Sequence, residues 1–483
     1  MSKVTLKRYT IKSRKITSLH SKKESLPSLL NRSRSISVKL NTVHGLEKAE
    51  GVLTRFDPLD IGSLPESIVQ RTHELFGPNT SPQDSVLKIL ADVRDKGDEA
   101  VFHYAELLDD TSLKSAEVSL KDLELARESL SDHLVQSLHL AAERIEHFHK
   151  STLPENWVDY QSGLGELIRP LERVGLYAPG GTAAYPSTVL MTAIPARVAG
   201  VKEIILTTPK RGEQPINPAV LVAAEIAGVD KVYQIGGVQA IGALAYGTES
   251  IRKVDKICGP GNIFVAYAKK IVQGQVDIDG IFGPTETIVI ADSSANAQFC
   301  AADLIAQAEH DPLATAILVT NSPKLVEEIE LELDRQIANI DRGPTVRDSL
   351  LKQGKIVVLD SISEAIELAN RIAPEHLCLM VQNPWEYVDH VRHAGGLFLG
   401  EFSPEVMGDY IAGPSHVMPT GGTARFSSAL SVHQFLRTMP VVGLSRNSFS
   451  ELGDAAIAIA QAEGLGGHSQ AIKIRMNHLI SSQ

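Results

Sequence analysis

Cysteine is scarce. The chain has three in 483 residues, Cys258, Cys300 and Cys378, far apart and with no CxxC pair. An odd, dispersed count excludes a disulfide framework and a thiolate metal site, so any metal must use imidazole, carboxylate or amide groups. No run of 18 apolar residues occurs, so no membrane-spanning helix is expected. There is no GxSxG elbow, no HExxH and no P-loop, which removes the usual signatures of serine hydrolases, zincins and kinase-like ATPases. Excess positive charge is also missing. The net charge of −11 argues against nucleic acid as a general partner.

The charge is unevenly spread. Residues 1–40 carry eleven Lys and Arg against one acid, Glu24, a net of about +10, which leaves about −21 on the rest. That stretch is Ser-rich and has no apolar core of the length a secretory signal needs. It reads as an organelle transit peptide, the alternative being a basic tail for an acidic partner.

What is present is repetition. Residues 60–152 read as helices, with a capping-type start at "SPQDSVLKIL" and apolar positions three and four apart. From about 172 the texture changes to short β-branched runs, Gly/Pro turns and Ala-rich helical stretches. "RVGLYAPGG", "KEIILTTP", "KVYQIGG" and "VDKICGPG" each precede a helical pattern, and after 285 "ETIVIAD", "ATAILVT", "GKIVVLD" and "HLCLMV" do the same. Strand, turn and helix in succession predict parallel sheets with crossover helices. The expected fold is α/β, with two incomplete Rossmann-like parallel-sheet units, an N-terminal helical segment and a C-terminal helical tail. The expected boundaries are 41–165 for the helical segment, 166–285 and 286–400 for the two units, and 401–483 for the loop and tail. Helices are expected in the tail around 427–437 and 451–463.

Several stretches carry candidate chemistry. The turns "YAPGGT" and "CGPGN" lie where a strand feeds a helix N-terminus, a place suited to phosphate, although Phe264 stands where GxGxxG would need its third glycine. In "LIAQAEHDP", Gln307 and His310 are three apart and share a helix face, so they suit one metal. His390 and His393 in "VDHVRHAG" have equally good spacing, and composition does not choose between the pairs. "MGDYIAGPSHVMPTGGTARF" is a long Gly/Pro-rich loop with Asp409 and His416, a functional rather than a structural composition. "AEGLGGHSQA" brackets a glycine loop with Glu463 and His468. Finally, "RIAPEHLCLM" sets Glu375 beside His376 on the doorstep of a buried strand.

These motifs, in this order and from roughly residue 50 to 480, resemble the histidinol dehydrogenase family, the zinc and NAD enzymes of the last steps of histidine synthesis. The resemblance rests on "VGLYAPGG", "STVLM", "GGVQAIGALAYGT", "GPGN", "GPTE", "AQAEHDP", "IAPEHL", the 407–426 loop and "GLGGHSQA". It implies a homodimer with shared active sites and the tail exchanged. One zinc per subunit would be held by Gln307, His310 and Asp409 of one subunit with His468 of the other, returning His390 and His393 to ordinary surface roles. It implies that Thr285, Gln307, His310, His376, Asp409, Glu463 and His468 contact L-histidinol, with His416 in the same pocket. It implies that Tyr177, Gln239 and Asn262 contact NAD. Where the family often has serine, Thr285 keeps the hydroxyl. A plastid is then the expected address of a transit peptide.

The implied reaction oxidises L-histidinol to L-histidine through an aldehyde and needs two kinds of proton work. An imidazole of near-neutral pKa suits the base for alcohol oxidation, giving His376 that task, and Glu375 would activate the water that hydrates the aldehyde. Neighbours on a regular strand point to opposite faces, so both cannot reach one pocket from within a strand; Pro374 is expected to keep the segment irregular. A catalytically inactive paralogue that binds imidazole metabolites, or a zinc-water hydrolase, would share much of this pattern. NADH formation with histidinol separates the first from an enzyme, and a nucleotide titration the second.

Overall fold

The computed structural model describes residues 38–53, 66–180 and 184–481. The expected transit segment therefore lies almost wholly outside the described residues. Its last residues do not: Val38 and Leu40 are buried in an apolar cluster of the second sheet, and the Val38 N–H donates to Asp334 Oδ1 at 2.8 Å.

The helix Pro82–Lys96 shows how the local signals work. Ser81 and Asp84 form a capping box, Pro82 occupies the first turn, and Gly97 ends the helix at φ 56°. Its stripe of Val86, Ile89, Leu90 and Val93 is buried. Leu90 and Val93 lie against Gly242 of the helix Gly237–Tyr246, where a Cβ would press on the Val93 side chain at 3.2 Å.

Two parallel sheets follow. The first has five strands, ordered Lys231–Tyr233, Glu203–Thr207, Arg173–Tyr177, Lys256–Cys258 and Asp277–Ile278. The earliest strand is central and the chain winds outward to both sides, as in doubly wound nucleotide-binding sheets. The second has six strands, ordered Asn41–His44, Lys355–Val358, Thr315–Thr320, Glu286–Ala291, His376–Met380 and Gly396–Leu399, all parallel. It repeats the same winding and adds the strand Asn41–His44, contributed by the segment that read as helical. The central strands are near-continuous runs of Val, Ile and Leu because helices cover both faces.

A third, antiparallel sheet was not expected. Leu436–Val442 pairs with Leu164–Pro170, which pairs with Trp157–Asp159. The helix expected around 427–437 is only the 3-10 turn Val432–Phe435, after which the chain extends. Pro440 and the two valines after it favour extended backbone over helix. The second tail helix is longer than expected, Arg446–Ala462, and a further helix, Gly466–Ser481, packs against it as a hairpin.

Candidate active site

The catalytic candidates gather at the amino-terminal edge of the second sheet. The helix Ile362–Ile372 ends at Ala373, whose φ of 53° is in the left-handed region, unusual for a residue with a Cβ. Pro374 and Glu375 follow, and His376 is the first residue of the strand His376–Met380. His376 is thus on the strand after all, while Glu375 is one residue outside it, and this offset lets both side chains meet.

Both are buried, Glu375 at 7% and His376 at 4% exposure. Glu375 Oε2 accepts the Thr285 hydroxyl at 2.5 Å and the Glu286 N–H at 3.0 Å. Thr285 Oγ1 in turn accepts from Gln307 Nε2 at 2.9 Å. His376 Nδ1 is 3.7 Å from Glu375 Oε2, and its Nε2 is 3.8 Å from Asp409 Oδ1. Gln307, Thr285, Glu375, His376 and Asp409 therefore form one chain of polar contacts.

Burial pushes the Glu375 carboxyl up to about 7, against the pull of His376, Thr285 and the Glu286 N–H. Burial works against charge on His376 too, but the carboxylates of Glu375, Glu405 and Asp409 outweigh it and raise the imidazole to about 10, above the near-neutral value expected of it. Asp409 goes the other way. Burial raises it, but His376, His416 and His310 prevail and keep it an anion. A buried carboxyl and a buried imidazole in contact can pass a proton without water.

Asp409 sits on the short helix Glu405–Tyr410 at the start of the Gly/Pro-rich loop. His416 Nδ1 is 2.8 Å from the Asp409 carbonyl, and its Nε2 is 3.1 Å from Thr188 Oγ1 on the helix Pro186–Ala199. Ser415 donates to the Met191 carbonyl at 3.0 Å. The loop therefore fastens the helices of the first sheet to the catalytic edge of the second. Ser415, Val417, Met418 and Thr420 are buried, which its composition did not suggest.

The cofactor candidates gather at the carboxyl ends of the first sheet. Tyr177 closes the central strand, and its hydroxyl accepts the Gly237 N–H at 3.1 Å. Gln239, fully buried, donates to Asp109 Oδ2 at 3.3 Å, and burial lifts that carboxyl to about 6. Gly259 has φ 118°, and a Cβ there would overlap the Tyr177 carbonyl oxygen. Asn262 caps the helix Ile263–Val272, accepting from the N–H groups of Phe264 and Val265 at 3.1 Å each. Tyr177 thus touches both glycine turns at the point where the winding reverses, the ordinary place for a nucleotide. Gly181 of the third turn lies outside the described residues.

The helix Ala297–Ala308 carries Gln307 and ends before His310, which is exposed just past it yet close enough to Asp409 for their charges to interact. Not every expected residue arrives. Glu463 and His468 lie exposed in the tail hairpin, and no described contact joins them to the site. His390 closes a 3-10 helix, Pro384–His390, and His393 lies beyond it, so this pair lacks the α-helical spacing its sequence suggested. Among the described residues of one chain, no group of three or more His, Cys, Asp or Glu is placed to hold a metal. The amide of Gln307, the imidazole of His310 and the carboxylate of Asp409 are the right hard and borderline donors for zinc, but they are a partial set until His468 is brought from elsewhere. Two features escaped the sequence reading. Glu405 is buried one helical turn before Asp409, and a Lys269–Asp279 ion pair is buried under the second glycine turn. The spacing 405/409 and a lysine on the apolar stripe Val265–Ala268–Val272 were the available signals.

A family model for histidinol dehydrogenase matches residues 78–476. The chain belongs to the histidinol dehydrogenase family. It is 47% identical to the histidinol dehydrogenase of Dehalococcoides mccartyi strain CBDB1 over 438 residues, 90% of this chain and 100% of that one. The histidinol dehydrogenase of Clostridium acetobutylicum is 46% identical over 86% of this chain and 97% of its own. The crystal structure of histidinol dehydrogenase from Elizabethkingia anophelis superposes with a TM-score of 0.84 at 36% identity, covering 91% of this chain and 98% of that one. Histidinol dehydrogenases are NAD-dependent oxidoreductases, which fits glycine turns at the switch point of one sheet and proton-transfer groups at the edge of the next.

Proposed function

We propose that the chain oxidises L-histidinol through L-histidinal to L-histidine, reducing two NAD+, and that Glu375 and His376 do the proton work. The observation that carries this is His376, itself buried, standing between two carboxylates. In the first half, His376 takes the alcohol proton, and NAD+, held by Tyr177, Gln239 and Asn262, would supply the acceptor for the hydride of the carbinol carbon, giving the aldehyde. Glu375 then takes a proton from the water that adds to the aldehyde carbon while His376 returns its proton to the aldehyde oxygen, giving the hydrate and a neutral imidazole. His376 takes a proton from the hydrate as the second hydride leaves, giving the carboxylic acid. Thr285 and the Glu286 N–H hold Glu375 in place for its step, and Asp409 steadies the charged form of His376.

Zinc, one per subunit, would be held by Gln307, His310, Asp409 and His468 of the partner subunit. Bound there, it supplies an anchor for the imidazole and amine of the substrate. Thr285, His376, His416 and Glu463 of the partner subunit complete the substrate contacts. The tail hairpin supports the exchange, since Leu452, Ile459, Leu465, Ile474 and Ile480 are exposed there, as are Met407 and Tyr410 beside the site. Tyr177, Gln239 and Asn262 receive NAD. The basic leader is proposed to direct the chain to a plastid as in plant-type members, with cleavage before Val38, because Val38 and Leu40 belong to the folded body. The test is NADH formation from histidinol, which this reading expects at two NADH per histidinol consumed; no NADH would leave a binding protein.

A further inference from the structure

We propose that Lys269 is a positioning residue for hydride transfer, which with Asp279 fixes the cofactor turn at residues 259–262 relative to Thr285 and the Glu375–His376 pair. The proposal rests on the reading that this turn receives NAD. Lys269 and Asp279 form an ion pair with both side chains 1% exposed. Both partners also grip the turn. The Lys269 ammonium donates to the Gly259 carbonyl at 3.0 Å, and the Gly259 N–H donates to Asp279 Oδ2 at 2.6 Å. Gly259 is thereby held at both ends of its peptide frame in a conformation that only glycine adopts without strain.

The other side of the brace leads to the catalytic edge. Asp279 follows the last strand of the first sheet, and the linker 280–284 runs from it to Thr285. Phe282 of that linker lies under Lys269 Nζ at 4.8 Å from its ring centre, and the Gly283 N–H donates to Thr420 Oγ1 at 2.7 Å. One ammonium group thus contacts the cofactor turn, the root of the linker and the linker itself. Six residues after Asp279, Thr285 binds Glu375.

Stability alone does not account for this arrangement. Burying two charges costs several kcal/mol each, and well-packed apolar replacements are often as stable or more so. What an apolar pair lacks is direction, because it cannot hold a peptide group at a fixed distance and angle. A misplacement of about 1 Å costs hydride transfer on the order of 10²-fold.

The decisive variant is the double replacement Lys269→Met with Asp279→Leu, studied as the full-length, metal-loaded enzyme. It is expected to melt close to wild type and to bind histidinol normally by titration. Its kcat is expected to fall on the order of 10- to 100-fold and its KM for NAD+ to rise, with the KM for histidinol unmoved. A folded double variant with wild-type kcat and KM for NAD+ overturns the proposal. If the double variant does not fold, Asp279→Asn keeps the shape and the acceptor for Gly259; there kcat/KM for NAD+ must fall while the KM for histidinol holds, and an unchanged NAD+ dependence is equally fatal. Asn262→Ala separates the underlying reading. An unchanged KM for NAD+ in Asn262→Ala removes the cofactor turn itself, whereas a raised KM there with a silent double variant removes only the brace.

Discussion

His376 has a carboxylate near each ring nitrogen: Glu375 at 3.7 Å from Nδ1 and Asp409 at 3.8 Å from Nε2. The two are not equivalent. Asp409 is held below the usual carboxylate range, while burial pushes Glu375 up to about 7. One is a fixed anion and the other can exchange a proton near neutral pH, which divides the labour between them.

That division predicts unequal damage. Glu375→Gln keeps the shape and can still accept from Thr285, but it cannot take a proton from water. Oxidation of histidinal should fall on the order of 10²- to 10⁴-fold, with histidinol oxidation to the aldehyde affected much less. Single-turnover measurement of each half-reaction checks this, and equal losses in both would refute it.

The metal set makes a second prediction. Chelation should stop turnover while leaving the fold and NAD+ affinity largely intact, because the proposed ligands cluster with the substrate groups and not with Tyr177, Gln239 and Asn262. His310→Ala should lose zinc, and His393→Ala should keep it, since His393 lies in a loop past a 3-10 helix. Metal content of the two purified variants decides, and the reverse result would mean the wrong pair was chosen.

Most of the α/β winding was legible because each strand–turn–helix unit is local: a β-branched run, a Gly or Pro turn and an Ala-rich helix fall within a few dozen residues. The sheet formed by Trp157–Asp159, Leu164–Pro170 and Leu436–Val442 was not, because its strands are largely exposed and one partner is contributed from the far end of the chain. At the site, residue identities were readable from motifs but their geometry was not. Nothing in "RIAPEHL" announces that Ala373 turns left-handed and puts Glu375 one step outside the strand. Nor does the sequence say that the two sheets use opposite edges, the first its carboxyl ends and the second its amino end. The short linker after Asp279, crossing from one edge to the other, and the loop at Ser415 and His416 bring them together.

A third prediction concerns acid stability. His149 is fully buried in the helix Asp132–Ser151, neither ring nitrogen has a hydrogen-bond partner among the described residues, and burial holds its pKa down to about 4. The unfolded chain binds this proton near pH 6.5, so stability is fully present above that pH and declines as pH falls toward 4. Between pH 7.5 and 5 this one group should cost about 2 kcal/mol. Urea midpoints of wild type and His149→Leu at both pH values test it: the loss on acidification should be smaller by about that amount in the variant. Identical losses would assign the acid sensitivity to other groups.

The last prediction concerns the shared site. Within one chain His468 is exposed on a hairpin, with no described contact to Gln307, His310 or Asp409, and no sufficient metal group forms among the described residues. If the tail completes the pocket of the partner subunit, a two-fold dimer has two sites, each built from one body and the other subunit's tail. Take one inactive variant with His310→Ala in the body and another with His468→Ala in the tail, then unfold, mix and refold them together. In a mixed dimer one pocket receives both lesions and the other receives none. Random reassortment makes about half of the dimers mixed, so about a quarter of all pockets should be wild type. Activity should rise from near zero toward that fraction, and zinc should return in the same proportion. If each tail serves its own body instead, every pocket keeps one lesion, and mixing restores neither activity nor metal.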